Sequence, residues 1–189
     1  MPACFRYRLI GFLLLASGLS ACENDANQVN NLNRKRMGVE EAKEVRVVYT
    51  LGGKTKAILT APLMLNVQDT TVYVEFPKTI HTDFYNEAGI NESKLDALYA
   101  KYKRYENIIF IRDSVRVINM LRGDTLYCNE LYWNRNHVGN EFYTDKPVRI
   151  RTKTQILNGI GMESSQDFKN WHIIQTTGVI SVPAARFPG

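Results

Sequence analysis

From Val45 onward, apolar and polar side chains alternate along the chain. Val45, Val47 and Tyr49 are interleaved with Arg46 and Val48, Val115 and Val117 flank Arg116, Val148 and Ile150 alternate with Arg149 and Arg151, and Trp171 and Ile173 flank His172. A period of two places one set of side chains on a buried face and the other in water, which predicts strands. Turn formers separate the runs at Gly52-Gly53, Asn86 to Gly89, Arg122-Gly123-Asp124, His137 to Asn140, Asp145 to Pro147 and Asn158 to Gly161. Short strands broken at regular intervals, with no strand–helix alternation, predict an antiparallel all-β domain in which hairpin follows hairpin.

One segment carries a different period. Ser93 to Tyr105 reads SKLDALYAKYKRY and sets Leu95, Leu98, Tyr99, Tyr102 and Tyr105 at helical spacing behind a Ser93 cap, so periodicity favours a helix. As a strand, the same residues put Leu95 and Ala97 on one face and, across a bulge, Ala100 and Tyr102.

The amino terminus reads as a targeting segment. Arg6 and Arg8 precede the apolar run Leu9 to Leu15 and the small-residue site Leu19-Ser20-Ala21, the order of a secretory signal spanning residues 1–21. The run is shorter than the ~20 residues that cross a bilayer. Cys22 follows at once, and Leu-Ser-Ala-Cys resembles the lipobox at which bacterial lipoproteins are acylated and cleaved. That resemblance implies a chain beginning at a lipid-bearing Cys22 and held on a membrane, not through it. Residues 22–44 are polar and asparagine-rich, with a basic cluster Arg34-Lys35-Arg36, and read as a flexible tether. A domain over 45–182 and a tail over 183–189 complete the expected layout.

Composition removes several classes of function. Losing 21 of 189 residues leaves 168, which suits one domain. Cys4 leaves with the signal and Cys22 is consumed by lipid, so Cys128 stands alone and the core must supply the stability. Charges of both signs are interspersed, which gives no nucleic-acid footprint. His81, His137 and His172 are far apart and lack companion ligands at metal spacing, so no metal is expected. Cys128 alternates with Leu126 and reads as a packed small residue. The chain has no nucleophile elbow, Walker loop or dinucleotide fingerprint, so neither a cofactor nor an enzyme is expected. Asp69-Thr70-Thr71, Asp113-Ser114-Val115 and Asp124-Thr125-Leu126 resemble an O-glycosylation acceptor pattern of exported bacterial proteins, and turn and strand preferences favour the competing reading of turn ends running into strands.

Five stretches in order carry a resemblance: FYNEAG, SKLDALYAKY, SVRVINMLRGDTLYCNELYWN, FYTDKPVRI and ILNGIGMESSQDFKNW. Together they resemble the LptC family, the periplasmic C subunit of the lipopolysaccharide export machine, related to OstA-like bridge proteins. The likeness covers roughly Val45 to Ile180 and is strongest from Val115 to Asn134. Two positions depart from the family pattern, Cys128 in place of Thr and Asp96 within a Leu-Thr-Ala-like step, and both are expected at outward or rim positions. Family members carry a transmembrane helix where this chain has Cys22.

The resemblance implies a twisted β-jelly roll whose two sheets splay apart around an apolar groove open at both ends. It also makes Ser93 to Tyr105 a bulged strand pair. The groove lining it implies is Tyr49, Leu59, Leu65, Phe84, Ala97, Ile109, Val117, Leu126, Trp133, Phe142, Ile150 and Ile173. The implied ligand is lipopolysaccharide through its lipid A acyl chains, received from an ATP-driven inner-membrane transporter and handed to the next periplasmic bridge protein. Val45 to Leu51 would pair edge to edge with the transporter and Trp171 to Val182 with the bridge. The implied location is the periplasm, at the inner membrane, through lipidated Cys22. Two other readings compete: a structural or adhesive envelope lipoprotein with a closed sandwich, and a carbohydrate-binding or hydrolytic lipoprotein. The last needs exposed aromatics beside paired carboxylates, whereas Trp133 and Trp171 sit in alternating strands.

Overall fold

Alternation becomes strand almost throughout residues 38–68 and 71–177, the parts of the chain that the computed structural model describes. The signal, Cys22, the tether as far as residue 37, Asp69-Thr70 and residues 178–189, which hold the end of the expected domain and edge strand at Val182 and the tail over 183–189, lie outside the described residues. Eleven strands form one antiparallel sheet: β1 (Val39–Leu51), β2 (Lys54–Gln68), β3 (Val72–Phe76), β4 (Ile80–Tyr85), β5 (Asn91–Ala97), β6 (Tyr99–Lys103), β7 (Ile108–Asn119), β8 (Thr125–Asn134), β9 (Phe142–Arg151), β10 (Ile156–Ser164) and β11 (Trp171–Thr177). The architecture is all-β, a twisted jelly roll built from one large sheet.

The pairing is a meander of long ribbons. Strands β3 and β4 lie end to end along β2, pairing Leu65 to Gln68 with Val72 to Glu75 and Ala57 to Thr60 with His81 to Phe84. Strands β5 and β6 likewise lie end to end along β7. The interruptions are aligned across the sheet. Glu44 stands opposite Pro62, Pro77 to Thr79 separate β3 from β4, Leu98 separates β5 from β6, and the β7–β8 register slips between Arg112 and Val115. The β9–β10 register slips at Gly161. Glu44, Asp113, Ser114 and Gly161 all have positive φ at this line, 48°, 65°, 55° and 75°. Bulges bend a strand and sharpen its twist, and a row of them creases the sheet into two arms that face each other.

In every second strand the crease also switches which alternate residues point inward, as on β2, from β5 to β6, on β8 and on β10, whereas β7 and β9 keep their parity. On one arm the inward rows are Leu59, Thr82, Leu95, Val117, Leu126 and Ile150, matched strand by strand through the register. On the other arm they are Asn66, Val74, Tyr102, Ile109, Trp133 and Phe142. The switch explains why Ser93 to Tyr105 reads as helical. Leu95 and Ala97 are buried, Leu98 is the unpaired residue at the crease and half exposed, and Ala100 is buried again. One inserted residue turns a period of two into a local spacing of three, and the segment is strand.

Four further expectations are corrected. Asp145 to Pro147 and Asn158 to Gly161 are not turns but interior positions of β9 and β10 at the crease. Strand β1 starts at Val39, so residues 39–44 are sheet where a tether was expected. Its charged side chains face water from an edge strand, which gives sheet the composition of a linker. Cys128, expected at an outward or rim position, is buried two residues from Leu126 on the same face, beside Val115 and Val148. Asp96 does face outward, where His81 Nδ1 lies 2.7 Å and Arg116 Nη2 2.7 Å from its oxygens.

Gly159 is buried where β10 meets β11. A Cβ there would lie 2.2 Å from Ile173 Cγ2 and 2.5 Å from the Gln175 carbonyl oxygen. The second atom is backbone and cannot rotate away. Gly159→Ala is therefore expected to destabilise the fold by about 1–3 kcal/mol through overpacking, read as a lower urea midpoint. An unchanged midpoint would show that β11 is not held this close.

Candidate functional site

The arms are in contact on one side of the molecule and apart on the other. Contact is made by Phe84 of β4, whose ring centroid lies 4.9 Å from Trp133 of β8 and 5.6 Å from Phe142 of β9, both edge-on. Such aromatic contacts add about 0.5–1.5 kcal/mol beyond the area they bury. The β10–β11 loop holds the same side shut. Ser93 Oγ donates to the Gln166 carbonyl at 2.7 Å, Asn119 Nδ2 to that of Asp167 at 2.8 Å and Arg122 to that of Phe168 at 3.1 Å. Phe168, at φ 55°, is fully buried and packs beside Trp171. Burial works against ionisation of Asp167, but bonds from Ser165 and Lys169 outweigh it and hold its carboxyl below the ordinary value.

Towards β1 and β2 nothing fills the space between the arms, and an apolar groove of about 550 Å³ remains. Val47, Tyr49, Ala57 and Leu59 line one wall. Met64, Val74, Phe76, Tyr102, Ile109 and Trp133 line the other. The volume lies within the ~300–1,000 Å³ usual for small-ligand sites. From β2 to β8 the second wall crosses four inter-strand steps, roughly 19 Å at ~4.8 Å each. That exceeds the ~15 Å which half a ~30 Å hydrocarbon core gives one acyl chain. Trp133 Nε1 is buried without an acceptor, and an unanswered buried N–H costs about 1–3 kcal/mol.

Of the residues implied as lining, Tyr49, Leu59, Ile109 and Trp133 border the groove. Phe84 and Phe142 sit at its closed side. Ala97, Val117, Leu126 and Ile150 are fully or nearly fully buried along the first arm, and Ile173 packs against that core from β11. Leu65 lies on the opposite face, level with Glu75 and Glu41, because the crease at Pro62 moves the inward positions of β2 to Met64 and Asn66. The groove is also not open at both ends, since the Phe84–Trp133–Phe142 cluster closes it beyond β8. Sequence reading missed Val47, Ala57, Met64, Val74, Phe76 and Tyr102. Val47 stands in a quoted alternating run, and Tyr102 in the bulged-strand reading of its segment. Met64, Val74 and Phe76 required the position of the crease. It also missed Arg104 and Arg135, which border the groove at one end.

Chemistry elsewhere is sparse. The Cys128 thiol is pushed up to about 12 by burial. Among the described residues, no group of three or more His, Cys, Asp or Glu could hold a metal ion, and no helix is long and apolar enough to cross a membrane.

Two outcomes are expected from this packing. Phe84→Ala empties the space between the arms and should lower stability by about 3–5 kcal/mol in denaturant titration. A loss below 1 kcal/mol would mean that the arms are not held together there. Cys128 should resist iodoacetamide at pH 8, since a raised pKa keeps the thiol neutral, and should label only under unfolding conditions; peptide mapping identifies the site. Labelling at the rate of a free thiol in native protein would contradict its burial.

Residues 10–180 match the family model described as lipopolysaccharide-assembly, LptC-related. No curated protein matches the chain.

Proposed function

The chain belongs to the LptC-related family and acts in lipopolysaccharide transport, and on that premise we propose that its groove carries lipid A acyl chains from an inner-membrane transporter towards the next bridge protein. As a family member it works with lipopolysaccharide and other components of the export machine on the periplasmic side of the inner membrane. Attachment of this chain through an acylated Cys22 is part of the proposal.

The observation that carries the reading is the apolar groove between the arms, long enough for an acyl chain and open on the β1 side. A chain of about a dozen methylenes exposed to water costs about 10 kcal/mol at ~0.8 kcal/mol each. Bilayer and groove are both apolar, so transfer between them is close to neutral for the tail, and direction must come from the ATP-driven partner.

The sheet edges supply the docking surfaces of this proposal. Among the described residues β1 pairs only with β2, and β11 only with β10. Val47, Val48 and Leu51 on β1 and Ile174 on β11 are exposed apolar side chains on those edges. Unpaired edges of this kind template strand addition. The β1 edge lies beside the open groove and would receive lipid; the β11 edge would pass it on. Onward passage requires the arms to part at Phe84 and Trp133.

Photocrosslinking probes at Val47, Met64 and Ile109 should capture lipopolysaccharide in cells, while a probe at Tyr132, on the opposite face of the second arm, should not. Capture from Tyr132 alone, or from none of the four, would remove the groove as the path.

A further inference from the structure

Two guanidinium groups stand where the apolar wall of the groove ends. Arg104 follows Tyr102, and Arg135 follows Trp133, by two residues, and both border the groove past its last inward row. Arg135 is half-buried. Its Nε donates to Asn107 Oδ1 at 2.9 Å and an Nη donates to the Tyr102 hydroxyl at 2.7 Å. Its guanidinium lies 4.6 Å from the Tyr49 ring centroid and 5.0 Å from that of Tyr102, so it is held between the two arms over aromatic faces. Arg104 is more exposed and donates to Asn66 Oδ1 at 2.8 Å.

Among the described residues, neither arginine forms an ion pair. The acids around them have other partners. Glu40 accepts from Asn66 Nδ2 at 2.7 Å, one hydrogen bond removed from Arg104. Glu106 pairs with Lys103 at 3.0 Å. In the polar hollow on the far side of Arg135, Glu87 is answered by Lys54 and Lys56, Glu92 and Asp167 by Lys169, and Glu141 by the Gln166 N–H. Arg135 Nη1 has no acceptor among the described residues. The arrangement is therefore a pair of cations with spare donors at the end of an apolar trough. A guanidinium fork matches phosphate geometry and is weakly hydrated, the more so when it lies on aromatic rings.

We propose that Arg104 and Arg135 form a head-group subsite, taking a phosphate carried by the same amphiphile whose acyl chain lies along Met64, Val74, Ile109 and Trp133. This rests on the lipid-carrying reading above and adds to it a polarity: the tail enters the groove, and the phosphorylated sugar stays at the Arg104–Arg135 end. An uncharged glycolipid with identical tails would gain the apolar contacts and lose the charge-assisted bonds.

The test is equilibrium binding of the full chain to detergent-dispersed lipid A and to lipid A stripped of its phosphates. The phosphorylated form is expected to bind about tenfold more tightly. Arg104→Gln and Arg135→Gln should each weaken binding of the phosphorylated form and narrow the ratio between the two lipids towards one, with Arg135→Lys recovering part of it. Arg104 makes one side-chain bond and disturbs the fold least; thermal unfolding of each variant separates misfolding from lost recognition. Equal wild-type affinities for the two lipids, or variants that weaken both alike, would overturn the subsite while leaving the groove reading standing. If neither lipid binds, both fall together.

Discussion

The crease across the sheet is the constraint on which the rest depends. A meander of strands this long, left flat, would expose one whole apolar face to water. Folding it along a line of bulges buries that face against itself and needs no second sheet. The left-handed conformations at Glu44, Asp113 and Ser114 are unfavourable for residues other than glycine, and they persist because the packing on both sides of the line fixes them. Across Asp113 and Ser114 strand β7 keeps its inward parity, from Ile109 and Ile111 to Val115 and Val117, whereas its neighbour β8 changes from Leu126 and Cys128 to Leu131 and Trp133.

A creased sheet can close like a book or stay ajar, and this one does both. On the β7–β10 side, Phe84, Trp133 and Phe142 span the gap, and the β10–β11 loop is bonded to Ser93, Asn119 and Arg122. On the β1–β2 side Tyr49, Ala57 and Leu59 line one wall and Met64, Val74 and Tyr102 the other, with the groove between them. Trp133 belongs to both, with Phe84 on its edge and the groove along its exposed side.

Edges and groove are coupled by this geometry. The strand that bounds the open side, β1, is also a free edge, so a partner strand added there would extend the groove wall and not merely dock. Arg135 reaches Tyr49 of β1 from the end of β8 and so ties that edge to the opposite arm. The lipid-carrying reading therefore depends on few interactions beyond hydrophobic transfer and backbone pairing.

The alternation of Val45 to Tyr49, Val115 to Val117 and Val148 to Ile150 determined, without coordinates, that the chain folds as antiparallel strands, because a period of two can bury only one face. The five ordered stretches determined the family. What the sequence did not determine was which inward residues form core and which form groove: Leu126, Ile150 and Trp133 share one pattern, yet only Trp133 borders the cavity. Nor did it place the crease. Leu98 and Gly161 read locally as helix and turn signals, and Leu65, implied as groove lining by the resemblance, lies on the opposite face. A bulge in one strand has meaning only when its neighbours carry bulges at the same level, and that alignment exists in the paired sheet and not along the chain. The groove is the separation of two arms, a distance between residues far apart in sequence, and so tertiary structure alone could decide it.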